Sequence, residues 1–279
     1  MIHPIYPCLW LDNQAKEAAT FYCSVFRNSR IVADTPIVAT FELAGQKFML
    51  LNGGPTFKAN PSISFYALLD TKEEIDQTWT KLSVGGSVLM PLDQYPWSER
   101  YGWVQDKFGI SWQLSLSKIA GVDQKFSPVL MFTNTYANKA EQAIRFYTSI
   151  FDKSSVISIS NYKAGEPGPE GTVQHAQFKL GDYVFMAMDS PVQHALTFNE
   201  GISFVVECDT QQEIDYYWNK LTEGGSESMC GWLKDQFGIS WQIVPTVLGK
   251  LMSDPQRSGR VVQAFLKMKK FDIDTLLKA

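Results

Sequence analysis

The chain has 279 residues, of which 45% are hydrophobic and 19% charged, and a net charge of −4. That length suits two domains, and that composition belongs to an ordinary globular protein and excludes a disordered or low-complexity one. A mildly acidic chain without a run of basic residues is a poor partner for nucleic acid or an anionic membrane, which leaves small molecules as the expected ligands.

From the N-terminus, residues 1–7 lack the basic start and long apolar core of a signal peptide, and no later stretch approaches the ~18 apolar residues of a membrane span, so a cytoplasmic protein is expected. Residues 8–11 read as a strand, and Ala15, Ala18, Ala19, Tyr22, Val25 and Phe26 then recur at helical spacing. Strands are expected at 37–43 and 47–51, joined by a turn at Ala44-Gly45. A second unit opens with a strand at 62–69 and a helix capped by Thr71 and Glu74, carried on by Ile75, Trp79 and Leu82 and ended by Gly85-Gly86. A Pro- and aromatic-rich loop at 91–101 and a hairpin of 103–106 with 111–116 complete it.

The second half repeats this plan. Asp106-Lys107-Phe108-Gly109-Ile110-Ser111-Trp112-Gln113 returns as Asp235-Gln236-Phe237-Gly238-Ile239-Ser240-Trp241-Gln242, Phe21-Tyr22 as Phe146-Tyr147, and Ile63-Ser64-Phe65 as Ile202-Ser203-Phe204. A repeat this long is a duplicated domain. The expected organisation is a first module over 1–122, a second over 126–248, and a helical tail over 249–279 whose apolar stripe at Val261, Val262, Phe265 and Leu266 packs across the module junction or in a homodimer. The Gly/Pro loop 165–171 reads as a surface connection or a lid. Cys8, Cys23, Cys208 and Cys230 form no CxxC pair and read as buried reduced thiols.

The helix-borne Ala-x-x-Phe-Tyr, the two Asp-x-Phe-Gly-Ile-Ser-Trp-Gln runs and the tail Ala264-Phe265-Leu266-Lys267-Met268-Lys269-Lys270 resemble the PhnB-like family of the glyoxalase/bleomycin-resistance (vicinal oxygen chelate) superfamily, over essentially the whole chain. The resemblance implies an α+β fold of two tandem modules, each of two βαβββ units forming a curled sheet cup with outer helices. It also implies a divalent metal held in the cup by His and Glu. With only His3, His175 and His194, two His ligands in each of two cups are impossible. Gln113 and Gln242 stand where relatives often carry Glu. At most one metal is therefore expected, in the second module, with His175 and Glu207 as ligands and Glu200 as a further carboxylate; the first cup is expected to be structural, the position matching His175 falling near Val38.

Alternation puts His175 and Gln177 on one strand face, so His175 is either a general base or metal ligand in the cup or a hydrogen-bonded strand histidine. Gln242 and Ser203 are expected to face a ligand in the second cup, and Met186 to line it. Trp241 is a candidate ligand wall, although it must face opposite to Gln242 and packs in the core if Gln242 faces the cup. Asp106 and Asp235 read as turn-forming residues, not a catalytic pair. PhnB-like sequences often carry a 3-demethylubiquinone-9 3-methyltransferase label. No glycine-rich strand-to-helix loop is present for a nucleotide or methyl-donor cofactor, and no GxSxG, Walker or HExxH motif occurs. Two functions remain open: a binding protein with a degenerate metal site, or a metal-dependent lyase, isomerase or dioxygenase-type enzyme using His175. A monomer that is an internal pseudo-dimer and a homodimer are both compatible with the duplication.

Overall fold

The computed structural model describes residues 5–116 and 124–279, so the expected boundary at 122 lies outside the described residues. Four βαβββ units follow one another. The first comprises β1 (Ile5–Leu11), α1 (Ala15–Val25), β2 (Ser29–Asp34), β3 (Val38–Leu43) and β4 (Gln46–Asn52). The second has β5 (Ile63–Leu68), α2 (Lys72–Ser83), β6 (Ser87–Tyr95), β7 (Ser98–Gln105) and β8 (Ser111–Ser115). The third has β9 (Phe126–Phe132), α3 (Ala140–Ile150), β10 (Ser155–Asn161), β11 (Val173–Leu180) and β12 (Tyr183–Asp189). The fourth has β13 (Ile202–Cys208), α4 (Gln211–Thr222), β14 (Ser226–Glu227), β15 (Trp232–Lys234) and β16 (Ser240–Pro245), and a tail follows with α5 (Val247–Met252), α6 (Ser258–Phe265) and α7 (Ile273–Lys278).

The expected helices form because their apolar positions share a face: α1 buries Ala15, Ala18, Ala19, Tyr22 and Val25, and α3 buries Ala140, Ala143, Ile144, Tyr147 and Ile150. At α4 the box is complete, Glu213 N–H donating to Thr210 and the Thr210 N–H donating to the Glu213 carboxylate at 2.9 Å. The repeated Gly-Gly after the second helix of each half has a steric cause. Gly85 and Gly224 adopt φ of +72°, and a Cβ on Gly86 or Gly225 would meet the carbonyl oxygen of Gln105 or Lys234 at 2.3 or 2.1 Å.

Strands β2, β6 and β10 were not expected. β2 and β10 are edge strands exposed along most of their length, so no buried face imposes alternation on them. The expected loop 91–101 belongs instead to the β6–β7 hairpin, whose register shifts three times around residues that include Pro91.

The strands form two eight-stranded curled sheets. Sheet I runs β14-β15-β16-β13-β1-β4-β3-β2 and sheet II runs β10-β11-β12-β9-β5-β8-β7-β6. Each sheet therefore combines one unit from each half, units one and four in sheet I and units two and three in sheet II. The expectation that a cup is built within one half is corrected here. The joins are antiparallel pairings of unit-opening strands, Ile5 opposite Val206 to Leu9 opposite Ile202 in sheet I, and Ile63 opposite Leu130 to Ala67 opposite Phe126 in sheet II.

The halves cohere through the helices, which lie between the sheets in one continuous core. Tyr22 of α1 stacks on Phe41 of sheet I and packs against Trp112 of sheet II. Its hydroxyl donates to Asp106 at 2.8 Å; the Trp112 indole N–H donates to the same oxygen at 2.9 Å, and the N–H groups of Phe108 and Ile110 donate to the other. The second half repeats every bond, with Tyr147 and Trp241 on one Asp235 oxygen at 2.7 and 2.8 Å and Phe237 and Ile239 on the other. Four donors satisfy a carboxylate that burial would otherwise make costly. The repeated octapeptide is thus a clamp that fastens a helix of one sheet to a turn of the other.

Candidate ligand-binding cup

Alternation along the central strands of sheet I turns Ile5, Leu9, Phe48, Phe204 and Trp241 to the helices and turns Tyr6, Cys8, Trp10, Met49, Val205 and Gln242 to the concave face. There Tyr6, Cys8 and Val205 form a separate apolar cluster with Met49, Leu51 and Val244. Above it lies a cavity of about 620 Å³, hereafter cup I.

Polar groups are few and placed. Gln242 Nε2 donates to Ser203 Oγ at 3.0 Å beside the fully buried Cys8, whose thiol burial pushes up to about 12. At one end Tyr6 hydroxyl and Lys47 ammonium both donate to Glu207 Oε1 at 2.7 Å, with Lys47 Nζ 3.9 Å from the Tyr6 ring centre. Burial first, and the Glu207 charge second, raise the Tyr6 pKa far above the ordinary phenol value, so it stays a donor. At the mouth Trp10 sits edge-on to Phe57 and Trp232, at centroid distances of 5.0 and 5.8 Å, and its indole N–H donates to Gly54 O at 2.8 Å. Lys234 and Glu200 pair beside them at 2.9 Å.

The tail closes the cup. Leu248, Phe265 and Phe271 line the cavity, and the N–H groups of Cys230 and Gly231 donate to Met268 and Lys269 carbonyls at 2.7 Å. Gly231 has φ of +80°, and a Cβ there would lie 2.5 Å from the Phe271 ring, so this approach needs glycine. The expected helical tail is built of short helices, with α6 ending at Phe265 and the chain then running over the cup to α7.

The sequence-derived site residues fall into two groups. Ser203, Gln242 and Glu207 share cup I, and Gln242 faces the cup while Trp241 does not. Trp241, the candidate ligand wall, is 1% exposed in the helix-side core and bonded to Asp235. His175, Gln177 and Met186 lie on sheet II, where His175 and Gln177 approach at 3.3 Å and burial lowers the histidine pKa. Their cup, cup II, contains Gln113 instead of Gln242; Gln113 accepts from Tyr101 hydroxyl and donates to Ser64, both at 2.8 Å.

The expected metal pair does not form, because His175 stands on β11 of sheet II and Glu207 on β13 of sheet I, and Glu207 is held by Lys47 and Tyr6. Glu200 is held by Lys234. Among the described residues no three His, Cys, Asp or Glu converge as metal ligands. These residues do not fit the metal that the resemblance implies. Loop 165–171 borders a groove with Glu141 and Arg145 of α3, and Gly168 packs on the Tyr162 ring, on the helix side of sheet II and not over a cup. Tyr6, Trp10, Met49, Phe57 and Trp232 were not among the expected site residues. Alternation in residues 5–11 carried the signal for Tyr6 and Trp10, but which face is concave depends on the pairing with β13.

A family model described as 3-demethylubiquinone-9 3-methyltransferase matches residues 3–115 and again 124–244. YjdN of Escherichia coli K12 is 32% identical over 88 residues, 30% of this chain, and the match spans only 59% of that protein. The PhnB protein of Bacillus cereus is 40% identical, with 39% of this chain and 96% of that one covered and a TM-score of 0.37. Glyoxalase I of Zea mays shares the fold at a TM-score of 0.59 over 90% of this chain and 96% of its own, with 10% identity. No helix of the described residues is long and apolar enough to cross a membrane.

Proposed function

Given that the chain belongs to the family described as 3-demethylubiquinone-9 3-methyltransferase, we propose that it is a small-molecule-binding protein with a degenerate metal site, its ligand held in cup I. The observation that carries this is the cavity of about 620 Å³ on the concave face of sheet I, walled by Trp10, Met49, Leu51, Val205 and Trp232. Its size and its mainly apolar lining with a few anchored polar groups suit a ligand of drug-like dimensions. Gln242 and Ser203 are its polar anchors, and retention follows from burying apolar surface without any metal. The methyl-transfer description has no residue of its own in this reading. The metalloenzyme alternative needs His175 beside a carboxylate, and the two stand on different sheets. Both cups are completed within one chain, which supports a monomer that is internally a pseudo-dimer.

The test is fluorescence titration with 1-anilinonaphthalene-8-sulfonate. Met49→Trp fills cup I and should weaken dye binding by about tenfold or more, roughly 1.4 kcal/mol, whereas Met186→Trp in cup II should leave it unchanged. Equal binding by wild type and Met49→Trp, with circular dichroism showing both folded, would sink the reading.

A further inference from the structure

Five buried side-chain oxygens among the described residues have no hydrogen-bond partner, those of Ser83, Thr133, Tyr183, Thr197 and Ser240. Of these, Ser240 lines cup I, although the residue is only 1% exposed. An orphaned hydroxyl in a built cavity is a binding group waiting for its partner, because leaving it desolvated and unbonded is costly.

The other cup shows what normally satisfies it. Ser111 occupies the matching position in sheet II, and there the matching tryptophan, Trp103, donates its indole N–H to Ser111 Oγ at 3.3 Å. In cup I Trp232 does not make this bond. It lies edge-on to Trp10, with 77° between the rings, and the strand position matching Trp10 in cup II is Met131, which offers no aromatic face. Trp232 is turned to Trp10 instead, and Ser240 Oγ is left without a partner. Beside Ser240 the facing residue is Lys234, whose charge is cancelled by Glu200 at 2.9 Å.

We infer that Ser240, with Trp10, Phe57 and Trp232, forms a subsite for a planar aromatic ligand carrying a neutral hydroxyl or carbonyl oxygen at its edge. The rings take the plane and Ser240 Oγ takes the oxygen; the cancelled charges beside it favour a neutral group over a carboxylate. This rests on the assignment of cup I as the binding site and specifies the chemistry of its occupant.

The experiment is equilibrium dialysis of the full chain with 2-naphthol and with naphthalene, rings that differ by one hydroxyl. Wild type should bind 2-naphthol about three- to tenfold more tightly than naphthalene. Ser240→Ala should abolish that preference while leaving naphthalene affinity as it was, and Ser111→Ala should change neither. A preference that survives Ser240→Ala, or no preference in wild type, overturns the inference and leaves cup I as a binding site. If the anilinonaphthalene dye binds in cup I but neither naphthalene compound displaces it, the aromatic subsite is likewise overturned. Loss of the cup I assignment itself would show in the Met49→Trp titration, which does not involve Ser240.

Discussion

Cup I and cup II are built on one plan, and they agree on the helix side and in one polar pair of the concave face. On the helix side the Tyr–Asp–Trp clamp is repeated atom for atom, and the Gln–Ser pair at the centre is kept as Gln242 with Ser203 and Gln113 with Ser64. Around that pair the concave faces diverge: strand register sets Val38 against His175, Thr40 against Gln177, Cys8 against Val129 and Trp10 against Met131. Only cup I is roofed by the tail. The face that holds the fold is constrained by close packing, where a lost contact or unpaired polar group is expensive; the face toward a cavity is free to differ, and that is where binding chemistry resides.

The largest expected effect comes from cutting the clamp in each half. Asp106→Ala and Asp235→Ala each leave four hydrogen-bond donors without their acceptor and should each lower unfolding free energy by about 4 kcal/mol or more in urea denaturation. A large effect in one half with a negligible one in the other would show that the shared face is not equally needed. Smaller, and confined to cup I, is the loss on Phe271→Ala. Removing a ring that is 2% exposed should cost about 3 kcal/mol. His175 NMR shifts in cup II should stay unchanged.

Smallest is the pH effect of His175 in cup II. Burial lowers the His175 pKa below its ordinary 6.5, so the unfolded chain binds the proton first as pH falls. Its contribution to stability is present above about 6.5 and is lost as pH drops through the lowered folded value. Wild type should therefore lose more stability between pH 7.5 and 5 than His175→Gln does. Equal losses would show that the ring is not held neutral by its surroundings.

The duplication, the capped helices, the turn-forming role of Asp106 and Asp235, and the opposed faces of Trp241 and Gln242 are legible in the amino-acid sequence. Each follows from spacing within a few residues: helical period, strand alternation, or a side chain bonding its own turn. The pairing of unit one with unit four and of unit two with unit three is visible in the folded chain alone. Units that descend from one repeat present almost the same strand edges, so local pattern cannot say which edge meets which, and backbone pairing carries no record of the partner. That choice separated His175 from Glu207 and Gln242, and it joined Trp10 and Met49 to Gln242, Trp232 and Ser240. The exposed edge strands were equally illegible, because without a buried face nothing selects their side chains.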